Sequence, residues 1–199
     1  MTALTDIDLV LASSSTYRRD LLARISTRFR TVAPRIDERP QPAETPVMLA
    51  TRLASAKAAA AAKSCPGAVI IGSDQVAELG GRLLGKPGSE SSARAQLAAC
   101  SGREVNFHTA VCVLDGRHQP ARSQQALDTT RVRFRQLDEG EIARYIAREQ
   151  PLDCAGSFKC EGLGIALFET IDCNDPSALV GLPLISVCRL LREAGIAVV

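Results

Sequence analysis

The stretch Val69–Pro87, VIIGSDQVAELGGRLLGKP, constrains this chain more than any other. It opens on Val69-Ile70-Ile71, a short apolar run of the kind that makes a buried strand. The run gives way to Gly72-Ser73-Asp74, so a carboxylate falls at the predicted strand end. In open α/β sheets, ligands bind near such ends. Val76–Leu79 and Arg82–Leu84 then flank Gly80-Gly81, and a glycine pair supplies the positive φ angles of a two-residue hairpin turn. Gly85-Lys86-Pro87 closes the segment and brings a lysine back along the chain from Asp74. An acid and a base on one rigid hairpin suit a metal-and-phosphate device. The same residues also suit a turn-capping aspartate and a solvated lysine, because turns are rich in Asp.

The chain before this stretch reads as strand, helix, strand, helix. Ile7–Ala12 is a predicted strand that runs into Ser13-Ser14-Ser15. The serines offer an N-cap, and Leu21, Leu22 and Ile25 give the next helix a buried side. Arg18 and Arg19 therefore fall in a first helical turn, where the helix dipole disfavours cations. A bound anion would account for them, since backbone N–H groups and an Arg fork both hold phosphate. A solvated Arg pair is the alternative. Phe29–Val32 reads as a short strand, and Asp37-Glu38 as loop acids that either ligate a metal or face water. Thr45-Pro46 starts a helix, with Thr as N-cap and Pro at the first position. That helix runs to about Ser64, and Leu49, Leu53, Lys57 and Ala60 share one stripe of it. Lys57 is thus carried with the apolar face. It either snorkels out to water or reaches a cleft beside the sheet.

After the hairpin, Ser89 caps a helix ending near Cys100, and Val105–Val113 alternates as a long strand turned at Asp115-Gly116. Val132 and Phe134 alternate with Arg131, Arg133 and Arg135 on another strand with a solvated face. Asp138–Glu141 signals a capping box. Pro151–Gly164, PLDCAGSFKCEGLG, is Gly-rich and irregular yet carries Lys159 and Glu161; glycines let a backbone approach a ligand closely. Leu163–Phe168 reads as a strand, Asp175-Pro176 as a turn, and Gly181-Leu182-Pro183 as the opening of a last helix.

Composition removes several function classes. The net charge of +2 provides no global field for nucleic acid. Aromatic residues make up 4% and Trp is absent, which argues against base-stacking platforms for single strands. No segment reaches the ~18 apolar residues of a membrane span. Asp6 and Asp8, with no basic residue before the first apolar run, do not read as a signal peptide. The seven cysteines form no C-x-x-C pair and read as reduced thiols of a cytoplasmic protein. With only two histidines in the chain, a catalytic cysteine is not expected.

Four segments together go beyond a generic α/β chain: LASSSTYRRDLL, IDE, IIGSDQV with LLGKP, and AGSFKCEGLG with LVGLPL near the end. In this order and spacing they resemble the Maf family of nucleoside triphosphate pyrophosphatases, most closely its 7-methyl-GTP branch. The likeness covers nearly the whole chain. It implies one domain over residues 1–199, with a bent mixed sheet flanked by helices and two lobes around a nucleotide-binding cleft. It also implies hydrolysis of an α–β phosphoanhydride with a divalent cation, Mg²⁺ or Mn²⁺. Carried over position by position, the proton acceptor falls on Asp74. The phosphate-binding positions fall on Ser13, Arg18, Arg19, Lys57 and Lys86. The acids for the metal fall on Glu38 and Asp74, and the positions of substrate choice on Tyr17, Gln75 and Glu161. Two departures stand out: Thr16 replaces the usual Pro after the serines, and Cys160 replaces the Ser that commonly precedes Glu161. The expected partner is a nucleoside triphosphate, with neither nucleic acid nor membrane, and a homodimer is left open. A dTTP/UTP pyrophosphatase of the sister branch and a non-catalytic nucleotide-binding regulator of septum formation are the alternatives. Asp74, Lys57, Lys86 and the Arg pair together argue against a dead enzyme.

Overall fold

A computed structural model describes all residues, 1–199. In chain order the elements are β1 (Thr2–Ala3), β2 (Leu9–Ala12), α1 (Thr16–Leu22), β3 (Arg30–Thr31), α2 (Pro46–Ala62), β4 (Val69–Leu79) and β5 (Arg82–Leu84). Then come α3 (Glu90–Cys100), β6 (Glu104–Asp115), β7 (Arg122–Phe134), α4 (Glu139–Glu149), β8 (Phe168–Asp172), α5 (Leu184–Glu193) and β9 (Ile196–Ala197). The main sheet runs β3-β2-β4-β6-β7-β8, with β5 also on β4. β2 pairs in parallel with β3 and β4, while β4, β6, β7 and β8 pair antiparallel. This is the mixed α/β sheet expected from the sequence, flanked by helices. No helix is long and apolar enough to cross a membrane.

The central strand differs from its expected form. β4 does not stop at Ile71 but continues for 11 residues, paired with β6 from Val69↔Asp115 to Glu78↔Asn106. What stops is β2, whose pairing ends at Ala12↔Gly72. β5 takes up the same edge of β4 only at Ala77↔Leu84. Residues 73–76 lie between these two partners with no strand on that edge. Asp74 therefore sits in the middle of a strand, at the gap where its neighbour peels away into the serine turn and α1. The hairpin follows expectation, with Gly80 and Gly81 at φ +55° and +82°. The Glu78 carboxylate accepts the Gly81 N–H at 2.6 Å and ties the turn down.

Strand alternation sends Ile70, Gly72, Asp74 and Val76 to one face of β4. On that face α2 packs with Leu49, Ala50, Leu53, Ala54, Ala58 and Ala61 buried. Ala61, not Ala60, completes the stripe. The opposite face carries Val69 and Ile71 into a second core with Leu182, Val187, Leu190 and Leu191. A third core, around Phe107, Phe134 and Phe158, lies under the far end of the sheet. Gly72 sets the distance between α2 and β4. A Cβ there would stand 2.2 Å from the Ala54 carbonyl oxygen and 2.7 Å from the Ala58 nitrogen, both backbone atoms. Gly72→Ala should therefore push the helix off the sheet, at a cost of about 1–3 kcal/mol for overpacking. An unchanged midpoint in thermal unfolding would contradict this close approach.

Two other expectations change. Leu163–Leu167 is a 3-10 turn, and the strand begins only at Phe168. The cause is Gly164, which lies against Lys159, where a Cβ would meet its carbonyl oxygen at 2.3 Å. Val132 and Phe134 are the end of a 13-residue strand whose first part, RSQQALDTT, is too polar to read as one. Arg131 and Arg133 lie exposed on it as expected, whereas Arg135 lies beyond its end and bonds Glu141 and the Ala166 carbonyl.

Candidate active site

The gap beside β4 opens into a cleft of about 730 Å³. Its walls come from the serine turn and α1, the first three turns of α2, β4, the β5 hairpin, the Gly-rich loop and the turn before α5. At its floor Lys57, buried on α2, reaches two acids. Its Nζ lies 2.5 Å from Asp74 Oδ1 and 2.8 Å from Glu38 Oε1. The lysine on the apolar stripe thus reaches the cleft and does not snorkel to water. Asp74 is buried with it, while the Glu38 side chain is 57% exposed.

Arg18 enters from α1, whose N-cap Ser15 accepts the Arg18 N–H. Its Nε donates to the Gly181 carbonyl at 2.7 Å, and its two terminal amino groups have no protein partner. Burial pulls its pKa down, and the charges of Asp74 and Glu38 oppose that. The Gly181 carbonyl is also held by Ser73 Oγ at 3.0 Å. One end of the fork is fixed and the other faces the cleft. Ser13, at the buried base of the serine turn, accepts the Ser15 N–H. Lys86 lies exposed at the rim with no ion pair.

Arg19 falls outside the cleft, while Gln75 lines it. Arg19 is exposed, pairs with Asp20 at 3.2 Å and does not line the cleft. Thr16, Tyr17 and Arg18 line the cleft from the first turn of α1, and Arg19, one residue further round the helix, turns to solvent. Gln75 lies on the face of β4 opposite Asp74. Its Nε2 approaches Thr109 Oγ1 and the carbonyls of Ala178 and Leu179, each at 3.0 Å. It reaches the cleft wall while holding the segment before Gly181 in place.

Tyr17 from α1 and Glu161 from the Gly-rich loop both line this cleft. Burial raises the Tyr17 pKa, with Cys154 and Asp153 adding to the rise. Glu161 is exposed, and the Cys160 Sγ donates to its Oε2 at 3.3 Å. Burial pushes the thiols of Cys154 and Cys160 up to about 12, so both stay protonated and are poor nucleophiles. All seven cysteines are free.

Sequence reasoning missed the scaffold around Gly181. Asp175 was legible only as a turn residue. Buried, it accepts hydrogen bonds from Ser177 N, Ser177 Oγ and Ile185 N, and Ser177 Oγ in turn accepts the Leu184 N–H. Those bonds start α5 and set the Gly181 carbonyl. The Asp-Pro-Ser triplet was the available signal.

The site contains no cluster of three or more His, Cys, Asp or Glu that could hold a metal by itself. Two carboxylates that meet at one ammonium do suit a small hard cation. Mg²⁺ commonly takes one or two carboxylates and completes its shell with water and substrate phosphate.

The Maf-like protein family model matches residues 8–194. A 7-methyl-GTP pyrophosphatase of Xanthomonas oryzae pv. oryzae (strain MAFF 311018) is 58% identical over 187 residues, covering 94% of this chain and 96% of that one. A protein of the same name from Polaromonas sp. is 54% identical over 200 residues, covering 98% and 90%. Among solved structures, the Staphylococcus aureus Ham1 protein aligns with 64% of this chain and 71% of its own at a TM-score of 0.46 and 17% identity. The family match spans all but the two ends, and these relatives share more than half their residues with it over nearly its full length: the chain belongs to the Maf-like protein family.

Proposed function

We propose that this protein is a cytoplasmic nucleoside triphosphate pyrophosphatase that hydrolyses 7-methyl-GTP to 7-methyl-GMP and diphosphate. The observation that carries the reading is the Asp74–Lys57–Glu38 cluster at the floor of a cleft that also holds the open fork of Arg18 and the unpaired ammonium of Lys86. The name shared by the Xanthomonas and Polaromonas relatives supports the substrate.

Phosphoryl transfer needs charge neutralisation and in-line positioning more than covalent chemistry. Asp74 takes the proton of a water whose oxygen bonds to the α-phosphorus. The bond from that phosphorus to the bridging oxygen breaks, and diphosphate leaves with the electron pair. Lys57 fixes the Asp74 carboxylate. Arg18 and Lys86 hold the negative charge of the triphosphate and of the departing diphosphate. Asp74 and Glu38 would hold the divalent cation, Mg²⁺ or Mn²⁺, which when bound polarises phosphoryl oxygen and acidifies water. From the same cleft lining, the Tyr17 ring offers a face to the base. Glu161 accepts hydrogen bonds from the N1 and N2 edge of guanine. Methylation at N7 makes the ring cationic, which favours both the aromatic face and the carboxylate.

The products test this reading. Turnover of 7-methyl-GTP in ¹⁸O-labelled water should put the label in 7-methyl-GMP and release one diphosphate per nucleotide. Release of orthophosphate would overturn the pyrophosphatase assignment, and label in diphosphate would overturn attack at the α-phosphorus.

A further inference from the structure

We propose that Tyr145 and Glu149, two residues of α4 that do not line the cleft, are positioning residues for Glu161. The inference rests on the reading of Glu161 as a group that recognises the base. Glu161 stands in a short turn folded on itself: the N–H groups of Gly162 and Gly164 both donate to the Lys159 carbonyl, at 3.2 and 3.0 Å. The turn is clamped to α4 on each side of Glu161. Before it, the Lys159 N–H donates to the Tyr145 hydroxyl oxygen at 3.0 Å. After it, the Leu163 N–H donates to Glu149 Oε2 at 2.7 Å. The Lys159 ammonium adds a contact to the Glu149 carbonyl at 3.3 Å. Gly162 makes room for this, since a Cβ there would lie 2.7 Å from Glu149 Oε2.

Glu149 is the last residue of α4. An acid at that end opposes the helix dipole, so helix stability does not explain it. Accepting the Leu163 N–H does. Tyr145 is buried in the aromatic core, so its hydroxyl is a fixed anchor. A Gly-rich segment left loose would have to be ordered each time the base bound, at a cost in affinity. Held at two points, Glu161 meets the guanine edge without that cost. The clamp should therefore show in KM for 7-methyl-GTP more than in kcat.

The test is the ratio of kcat/KM for 7-methyl-GTP over GTP in wild type, Glu161→Ala, Glu149→Ala, Glu149→Gln and Tyr145→Phe. Glu149→Ala should lower the ratio ~10-fold, mainly through KM, as expected for one lost hydrogen bond to a charged acceptor. Glu149→Gln keeps an acceptor for the Leu163 N–H and should recover most of the loss. Tyr145→Phe should lower the ratio roughly threefold, for one neutral hydrogen bond. A folded Glu149→Ala protein with the wild-type ratio, where Glu161→Ala loses it, overturns the positioning role alone. If Glu161→Ala also keeps the ratio, the base reading itself falls. Glu149→Gln no better than Glu149→Ala overturns the hydrogen-bond account. Should Glu149→Ala fail to fold, Tyr145→Phe decides by the same ratio, because its ring still fills the core.

Discussion

Asp74→Asn is expected to lower turnover of 7-methyl-GTP at least ~10²-fold, the scale of losing a general base. The fold should survive. Lys57 keeps Glu38 at 2.8 Å, and the Asn carbonyl can still accept from the ammonium at the position Asp74 now occupies, 2.5 Å away. What disappears is a group able to take a proton from water. The measurement is steady-state turnover beside a thermal melt of the same preparation. Near-normal turnover in a folded Asp74→Asn protein would remove Asp74 from the proton-accepting role.

Lys57→Met is expected to have the larger effect on stability. It removes the ammonium that pairs directly with both the buried Asp74 and the half-exposed Glu38. Breaking a buried pair by deleting one partner costs about 3–5 kcal/mol, because a charge is left uncompensated. For a chain of this size that lowers the melting midpoint by roughly 10 °C. Turnover should fall as well, since the carboxylate loses the group that orients it. The double variant Lys57→Met/Asp74→Asn should recover a large part of the stability and none of the activity. A double variant as unstable as the sum of the two single ones would show that Lys57 and Asp74 are not coupled.

Much of the site was legible because helical and strand periods are strict. Lys57 was marked by sharing the stripe of Leu49 and Leu53, and it is buried on that stripe. Asp74 was marked as the acid following an apolar run, although the reason proved different: β2 ends there and β4 does not. The rest was hidden by long-range pairing. No local signal shows that β2 stops at the level of Gly72, or that Gly72 is small because α2 crosses it. Family correspondence placed Arg19 and Gln75 with the site; Arg19 lies exposed against Asp20 outside the cleft, whereas Gln75 lines it from the face of β4 opposite Asp74. The apolar run at Leu163–Phe168 looked like a strand, but Gly164 lies against Lys159 and only a turn allows that contact. Polar β7 escaped because its strand character comes from pairing with β6 and β8, not from its own residues.

The most direct measurement is kcat/KM of the purified chain for 7-methyl-GTP, GTP, dTTP and UTP, in Mg²⁺ and in Mn²⁺, with diphosphate detected. The Tyr17 face and the Glu161 carboxylate, in one cleft with Arg18, Lys57 and Lys86, predict hydrolysis of 7-methyl-GTP ahead of all three competitors. Faster hydrolysis of dTTP or UTP would contradict the base reading and leave the phosphate chemistry standing. No diphosphate from any of the four would contradict the central claim itself.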